Sequence, residues 1–229
     1  MRARRDHATA GATRVAPARR RLGITVTLLG ALVLAWVGTV WFWQEPFTAL
    51  YAHVEQHRLA GAYEKRDAAY AATRTSLAAE ARAYRLATRA GQPLGWITIP
   101  RIGLHAVLVD GTGESQLADG PGLYRGDFLP GEGRLVYVAG HRTTYSAPFA
   151  NIQDLRRGDE VVISLPYGAF RYAITGHRVV LATDVAVLRS GDHEELILQS
   201  CHPKFSATHR WLAFARLVSV RRSARGRPV

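Results

Sequence analysis

One cysteine, Cys201, stands among 229 residues. That rules out an intramolecular disulfide and any zinc site built on paired thiols. The thiol is left as an inert core group, an intermolecular partner or a reactive group, and composition does not choose among them. His177, His202 and His209 lie at scattered spacings near it in the sequence, with no Cys-x-x-Cys pair, so no metal is expected. No Gly-rich loop follows a strand and opens a helix, which leaves nucleotide binding without support. Internal repeats and low-complexity tracts are missing too. Acidic side chains are the scarcer sign, 18 Asp and Glu against 30 Lys and Arg, for a net charge of +12. That excess sits at the two ends. Residues 1–21 carry +6, the tail after Val220 carries +4, and +2 remains between them. The charge therefore gives no sign of a folded nucleic-acid-binding face.

Charge is absent altogether from Leu22–Trp43, twenty-two residues reading LGITVTLLGALVLAWVGTVWFW. As a helix this run would be about 33 Å long, matching a hydrocarbon core of roughly 30 Å. Trp41 and Trp43 fall where an interfacial aromatic belt belongs. Arginines before the span and near-neutrality after it predict a cytoplasmic N-terminus and an exported remainder. The basic N-terminus then serves orientation and attraction to anionic lipid. The rival reading is a cleaved signal peptide, whose apolar region spans about 7–15 residues before a small-residue site. This run is longer and ends Val-Trp-Phe-Trp-Gln-Glu-Pro, so a retained single-pass anchor is expected.

Residues 45–90 are rich in Ala, Glu and Arg, with no Pro after Pro46 and one Gly, Gly61. Such a composition predicts helix. Tyr63, Tyr70, Leu77 and Tyr84 recur every seven residues, but Arg66, Thr73 and Glu80 at the companion positions are polar. This is half of a coiled-coil seam, and a helical stalk is the expectation. One helix over 62–90 would be about 43 Å long. Gly91 and Pro93 stop it.

From Gly95 the texture changes to short β-type runs: Trp96–Ile99, Ala106–Val109, Leu135–Ala139, Glu160–Ser164, Phe170–Val180, Leu196–Gln199 and Trp211–Val218. Turn signals such as Gly120-Pro-Gly122 and Arg157-Gly-Asp159 separate them. Seven or eight strands at this spacing predict a compact all-β barrel or sandwich. Short helical pieces fit Ser115–Ala118 and Pro148–Leu155.

Three side chains at predicted strand ends could carry chemistry. Cys201 ends the run from Glu195, where a strand terminus holds a side chain firmly at a rim. His141 follows Leu135–Ala139 through Gly140 and can move protons near neutral pH. Arg210 begins the next run, nine residues after Cys201, and antiparallel pairing would bring the two to one end. A guanidinium there could stabilise an oxyanion.

These words in this order resemble the sortase family. The resemblance rests on Ala139-Gly-His-Arg142, Cys201 and Arg210 inside an all-β domain behind an N-terminal anchor. GWITIPRIGL, GPGLYRGDFLPGEG, AGHRTTYSAPFANIQDLRRGD and SCHPKFSATHRWLAFARL carry it from about Leu94 to Val218. AGHRTTY with APF is similar in particular to class E sortases of high-GC Gram-positive bacteria. The family's Thr-Leu-x-Thr-Cys is here Ile197-Leu-Gln-Ser-Cys201, which keeps a hydroxyl at Ser200 and loses one at Ile197.

The resemblance implies a closed seven- to eight-stranded β-barrel and a Cys201–His141–Arg210 site that needs no cofactor. It implies cleavage of a C-terminal sorting signal between Thr and Gly, with acyl transfer to an amine. Class E likeness implies an L-A-x-T-G signal and a peptidoglycan-precursor amine, with pilin polymerisation as the other outcome. The absence of a second apolar span after Val218 favours anchoring. Tyr145, Ser200 and Arg142 are the expected substrate contacts. The expected layout is a cytoplasmic basic segment 1–21, anchor 22–43, helical stalk 44–93, catalytic barrel 94–220 and basic tail 221–229. Two other readings compete. An L,D-transpeptidase carries His-Gly-Cys where this chain has Gln-Ser-Cys-His, and a non-catalytic barrel binding envelope proteins would not need the thiol.

Overall fold

A computed structural model describes residues 17–43, 46–71 and 75–223. The chain divides into two units, 1–43 and 44–229. The described residues of the first form one helix, α1 (Pro17–Trp43), which exposes its leucines, Leu32 at 70 % and Leu34 at 72 %. Arg19–Thr39 within it is long and apolar enough to span a bilayer, which makes it a candidate membrane helix.

The second unit opens with α2 (Pro46–Ala68) and α3 (Leu77–Ala87), not with one helix over 62–90. Ser76 caps α3, its hydroxyl accepting from Ala79 N–H (3.2 Å). The tyrosine stripe explains the break. Tyr63 packs edge-on against Trp96 of the barrel, and Tyr70 and Tyr84 meet each other with ring centroids 5.8 Å apart. A straight helix would keep residues 70 and 84 about 21 Å apart along its axis, so the chain must turn for them to meet. The stripe faces the barrel, not a second helix. Thr73 of the heptad companions lies outside the described residues.

Eight strands follow: β1 (Pro93–Ile99), β2 (Leu104–Asp110), β3 (Gly122–Leu123), β4 (Leu135–Ala139), β5 (Glu160–Leu165), β6 (Gly168–Leu181), β7 (Glu195–His202) and β8 (His209–Arg222). A short helix, α4 (Glu114–Asp119), precedes β3. The strands close in the order β1-β2-β3-β4-β7-β8-β6-β5, with β5 pairing back to β1. The pairs β2–β3 and β4–β7 are parallel and the rest antiparallel. Pro148–Leu155, expected as a helical piece, holds a single 3-10 turn at Ile152–Asp154.

Alternation along the strands sorts the apolar residues into two layers. Val136, Val138, Leu196, Leu198, Ala213 and Ala215 join the interior core with Phe149, Tyr167 and Phe170. Leu135, Tyr137, Ala139, Ile197 and Leu212 face the other way and form a second, outer cluster. That outer cluster is covered by Leu117 of α4, by Tyr124, and by Val187 and Leu188 of a 3-10 turn at Val185–Leu188. Polar bonds fasten α3 to the barrel. Glu80, 2 % exposed, accepts from Tyr70 Oη (2.8 Å) and Arg222 Nη2 (2.7 Å).

Candidate active site

The register of three neighbouring strands brings Cys201, His141 and Arg210 to one end of the barrel. In the antiparallel β7–β8 pair, Cys201 stands directly opposite Arg210. Opposed residues share a face, with Cβ atoms about 4.5–5.5 Å apart. By alternation that face is the outer one, shared with Gln199 and Ile197 on β7 and with Leu212 and Phe214 on β8. In the parallel β4–β7 pair Ala139 aligns with Gln199, so the residues after β4 run beside those that end β7. Cys201 is a free thiol, partly exposed.

Both residues flanking His141 are tied to β7. Gly140 N–H donates to Gln199 O (3.0 Å), and Ser200 Oγ donates to Gly140 O (2.8 Å). Beyond the histidine, Arg142 Nη1 donates to Cys201 O (3.0 Å) and meets His202 Nδ1 at 2.9 Å. An arginine only donates, so His202 Nδ1 accepts and its proton sits on Nε2. Arg142 Nη2 also donates to Gln153 Oε1 (2.6 Å). Gly140 is required by space rather than by a hinge. A Cβ there would lie 2.7 Å from the ring of Phe149, which is fully buried.

The expected substrate contacts divide. Ser200 is fully buried and uses its hydroxyl on Gly140, so it faces the protein and not a groove. Arg142 is 6 % exposed with its guanidinium occupied by β7 and Gln153, so it too is a clamp. Its roles were hidden in the sequence because they depend on which strand lies next to β4. Tyr145 stands against His141, ring centroids 5.2 Å apart and planes tilted 35°.

Electrostatics follow burial. The His141 imidazole is pushed below its ordinary range by burial, and Glu114 at the start of α4 partly opposes this. Its Nε2 is buried without a hydrogen-bond partner. Burial lowers His202 as well, aided by the positive Arg142. Arg210 is fixed at the rim by its own loop, Nη1 donating to Ala207 O (2.8 Å) and His209 O (3.1 Å). Its positive charge reaches Tyr137 on the outer face, opposing the rise that burial gives that phenol.

Among the described residues no group of three or more His, Cys, Asp or Glu comes together to hold a metal. The expectation that the chain holds no His-x-x-x-His spacing is wrong: His53 and His57 on α2 form one such pair, their rings edge-on at 4.6 Å, and no third His, Cys, Asp or Glu among the described residues joins them.

The closed mixed barrel is a sortase-like fold. It superposes on the Clostridium perfringens sortase D5 transpeptidase with a TM-score of 0.61 at 23 % identity, covering 72 % of this chain and 99 % of that one. Sortase E from Streptomyces avermitilis is similar at 34 % identity and a TM-score of 0.54, over 62 % of this chain and 97 % of that one. Sortase D of Bacillus subtilis strain 168 is 32 % identical over 134 residues, 56 % of this chain and 66 % of that protein. A family model described as the sortase domain matches residues 97–218. The chain belongs to the sortase family. It spans 66 %, 44 % and 62 % of the lengths of the curated relatives it matches, under two thirds of each.

Proposed function

We propose that the chain is a membrane-anchored cysteine transpeptidase. It cleaves secreted proteins at a C-terminal sorting signal, between Thr and Gly, and joins the new acyl end to an amine. The observation that carries this reading is the pairing of Cys201 with Arg210 on adjacent strands, with His141 following the strand parallel to β7. Family membership and likeness to class E structures support the reaction type and the L-A-x-T-G signal.

The Cys201 thiol gives its proton to His141, and the thiolate attacks the Thr carbonyl carbon. Arg210 donates hydrogen bonds to the resulting oxyanion, where a fixed cation offsets charge that appears only in the transition state. The C–N bond breaks, and the imidazolium of His141 delivers its proton to the leaving Gly nitrogen. A thioester remains on Cys201. An incoming amine attacks that carbonyl, His141 takes the amine's proton, and Cys201 leaves as thiolate with an amide formed. Cysteine suits both halves, because a thiolate is a strong nucleophile and its thioester stays reactive toward amines.

The amine acceptor is a lipid-linked peptidoglycan precursor at the outer membrane face. α1 is the anchor, with its arginine-rich side in the cytoplasm and the barrel exported.

The test uses the full chain in detergent with an L-A-x-T-G peptide and a small amine. The expected product is the peptide cut after Thr and carrying the amine, with a transient acyl adduct on the wild-type enzyme and neither species with Cys201→Ala. Product formation by Cys201→Ala, or none by wild type, overturns the reading.

A further inference from the structure

α2 lies outside the region matched by the family model, yet its first turn touches the loop that follows His141. Thr48 Oγ1 accepts from Tyr145 N–H (3.2 Å), and Ser146 Oγ donates to Ala49 O (3.2 Å). Tyr51 sets its ring edge-on against Tyr145, centroids 6.0 Å apart, while its hydroxyl donates to Asp119 Oδ1 (3.2 Å). The loop has an unusual backbone. Tyr145, Ser146 and Ala147 have φ of 51°, 59° and 40°, left-handed in three consecutive residues, none a glycine. L-residues in that region are strained and persist where surrounding structure over-determines them. Within the loop Ala147 N–H donates to Thr144 O (2.8 Å), and the two bonds to α2 supply the outside restraint. The strained conformation sets the Tyr145 ring against His141, whose Nε2 is buried and unpartnered.

We propose that Tyr145, held by Thr48 in the first turn of α2, is a positioning residue that orients the His141 imidazole and shields its Nε2 from water until substrate arrives. The role rests on the reading of His141 as the proton carrier. A segment about fifty residues before the family-matched domain is thereby part of the catalytic rim. Tyr145 and Glu114 flank the imidazole, with Tyr51 and Asp119 behind the tyrosine ring. Of these Glu114 is the one whose charge opposes the effect of burial.

The test compares wild type, Thr48→Val, Tyr145→Phe and Tyr145→Ala in the full-length chain in detergent micelles. His141 is read by NMR titration of its ring and by its rate of modification with diethyl pyrocarbonate, with His141→Gln assigning the signal. Thr48→Val and Tyr145→Ala are expected to move the His141 midpoint up toward its ordinary 6.5 and to speed modification several-fold. Tyr145→Phe keeps the wild-type values, because only the ring is used. An unchanged midpoint and rate in Thr48→Val and Tyr145→Ala overturns the proposal, as does a Phe variant that behaves like the Ala one. If Tyr145→Ala does not fold, Thr48→Val decides alone. Peptide transfer by the wild-type chain is measured alongside. Its failure would sink the functional reading and leave the shielding result legible.

Discussion

Asp127 is 5 % exposed, and its Oδ2 has no hydrogen-bond partner. Burial raises its pKa from 3.8 to about 6. The native carboxyl thus holds its proton up to about pH 6, while the unfolded chain releases it near 3.8. Stability from this group is full below pH 4 and is lost as pH rises through 6. A shift of roughly two units corresponds to about 3 kcal/mol as an upper bound. Asp127→Asn should therefore gain stability over wild type as pH rises from 4 to 7, by about 1–3 kcal/mol at the top of that range. Burial also raises Asp110, Asp119 and Glu194, so the informative quantity is the difference between the two proteins. Thermal midpoints taken at each pH would check it, and parallel curves would refute it. Nothing in the sequence singles out Asp127 among eighteen acidic residues, because its burial is a property of the β3–β4 connection. Cys201 and Arg210 were legible for the opposite reason. Their positions at strand ends follow from local period and turn signals, and one antiparallel hairpin places both.

Strands longer than four residues announced themselves through alternating or continuous apolar runs, and their predicted bounds differ from the observed ones by a few residues. β3 did not, since two residues have no period. Its shortness leaves β2 underpaired, and α2 fills the gap. The Gln56 amide behaves as a one-residue strand, Nε2 donating to Val107 O (3.2 Å) and Asp119 O (2.8 Å) and Oε1 accepting from Val107 N–H (2.7 Å). Leu59, 2 % exposed, packs beside it on Val107 and Val109. Composition foretold a helix here but not this docking, because the edge of β2 lies 51 residues further on, a separation of up to about 170–185 Å of extended chain. Gln56→Leu keeps the side chain's size and removes all three bonds, leaving the Val107 N–H and C=O without partners. Each unmet buried group costs about 1–3 kcal/mol. Loss of about 2–4 kcal/mol of stability is expected, with faster amide exchange at Val107 and at the neighbouring β2 amides. Wild-type exchange rates in the variant would show that α2 merely rests on the sheet.

Across the whole molecule, charge and apolar surface are sorted by position in the chain. The segment up to residue 21 carries +6, and the helix after it exposes its leucines, with a mean hydropathy of 2.0 over its most apolar window. A helix apolar on every side has no polar face to turn to water, so lipid is the environment it fits. Residues 44–229 have an interior of their own, from Ala81 through Ala215. The single-pass reading therefore predicts a chain that stays in the membrane pellet through high salt and alkaline carbonate and leaves it in detergent. Peripheral attachment by the basic segment alone would fail the salt wash, because exposed charge pairs are screened within a Debye length of about 8–10 Å or less. Intact mass of the extracted protein separates the remaining alternative. A retained anchor gives a mass that includes the apolar run Leu22–Trp43. A product shortened beyond the apolar run, released to the soluble fraction, would mean that α1 directs export and is then removed, and that something other than α1 keeps the enzyme near its acceptor.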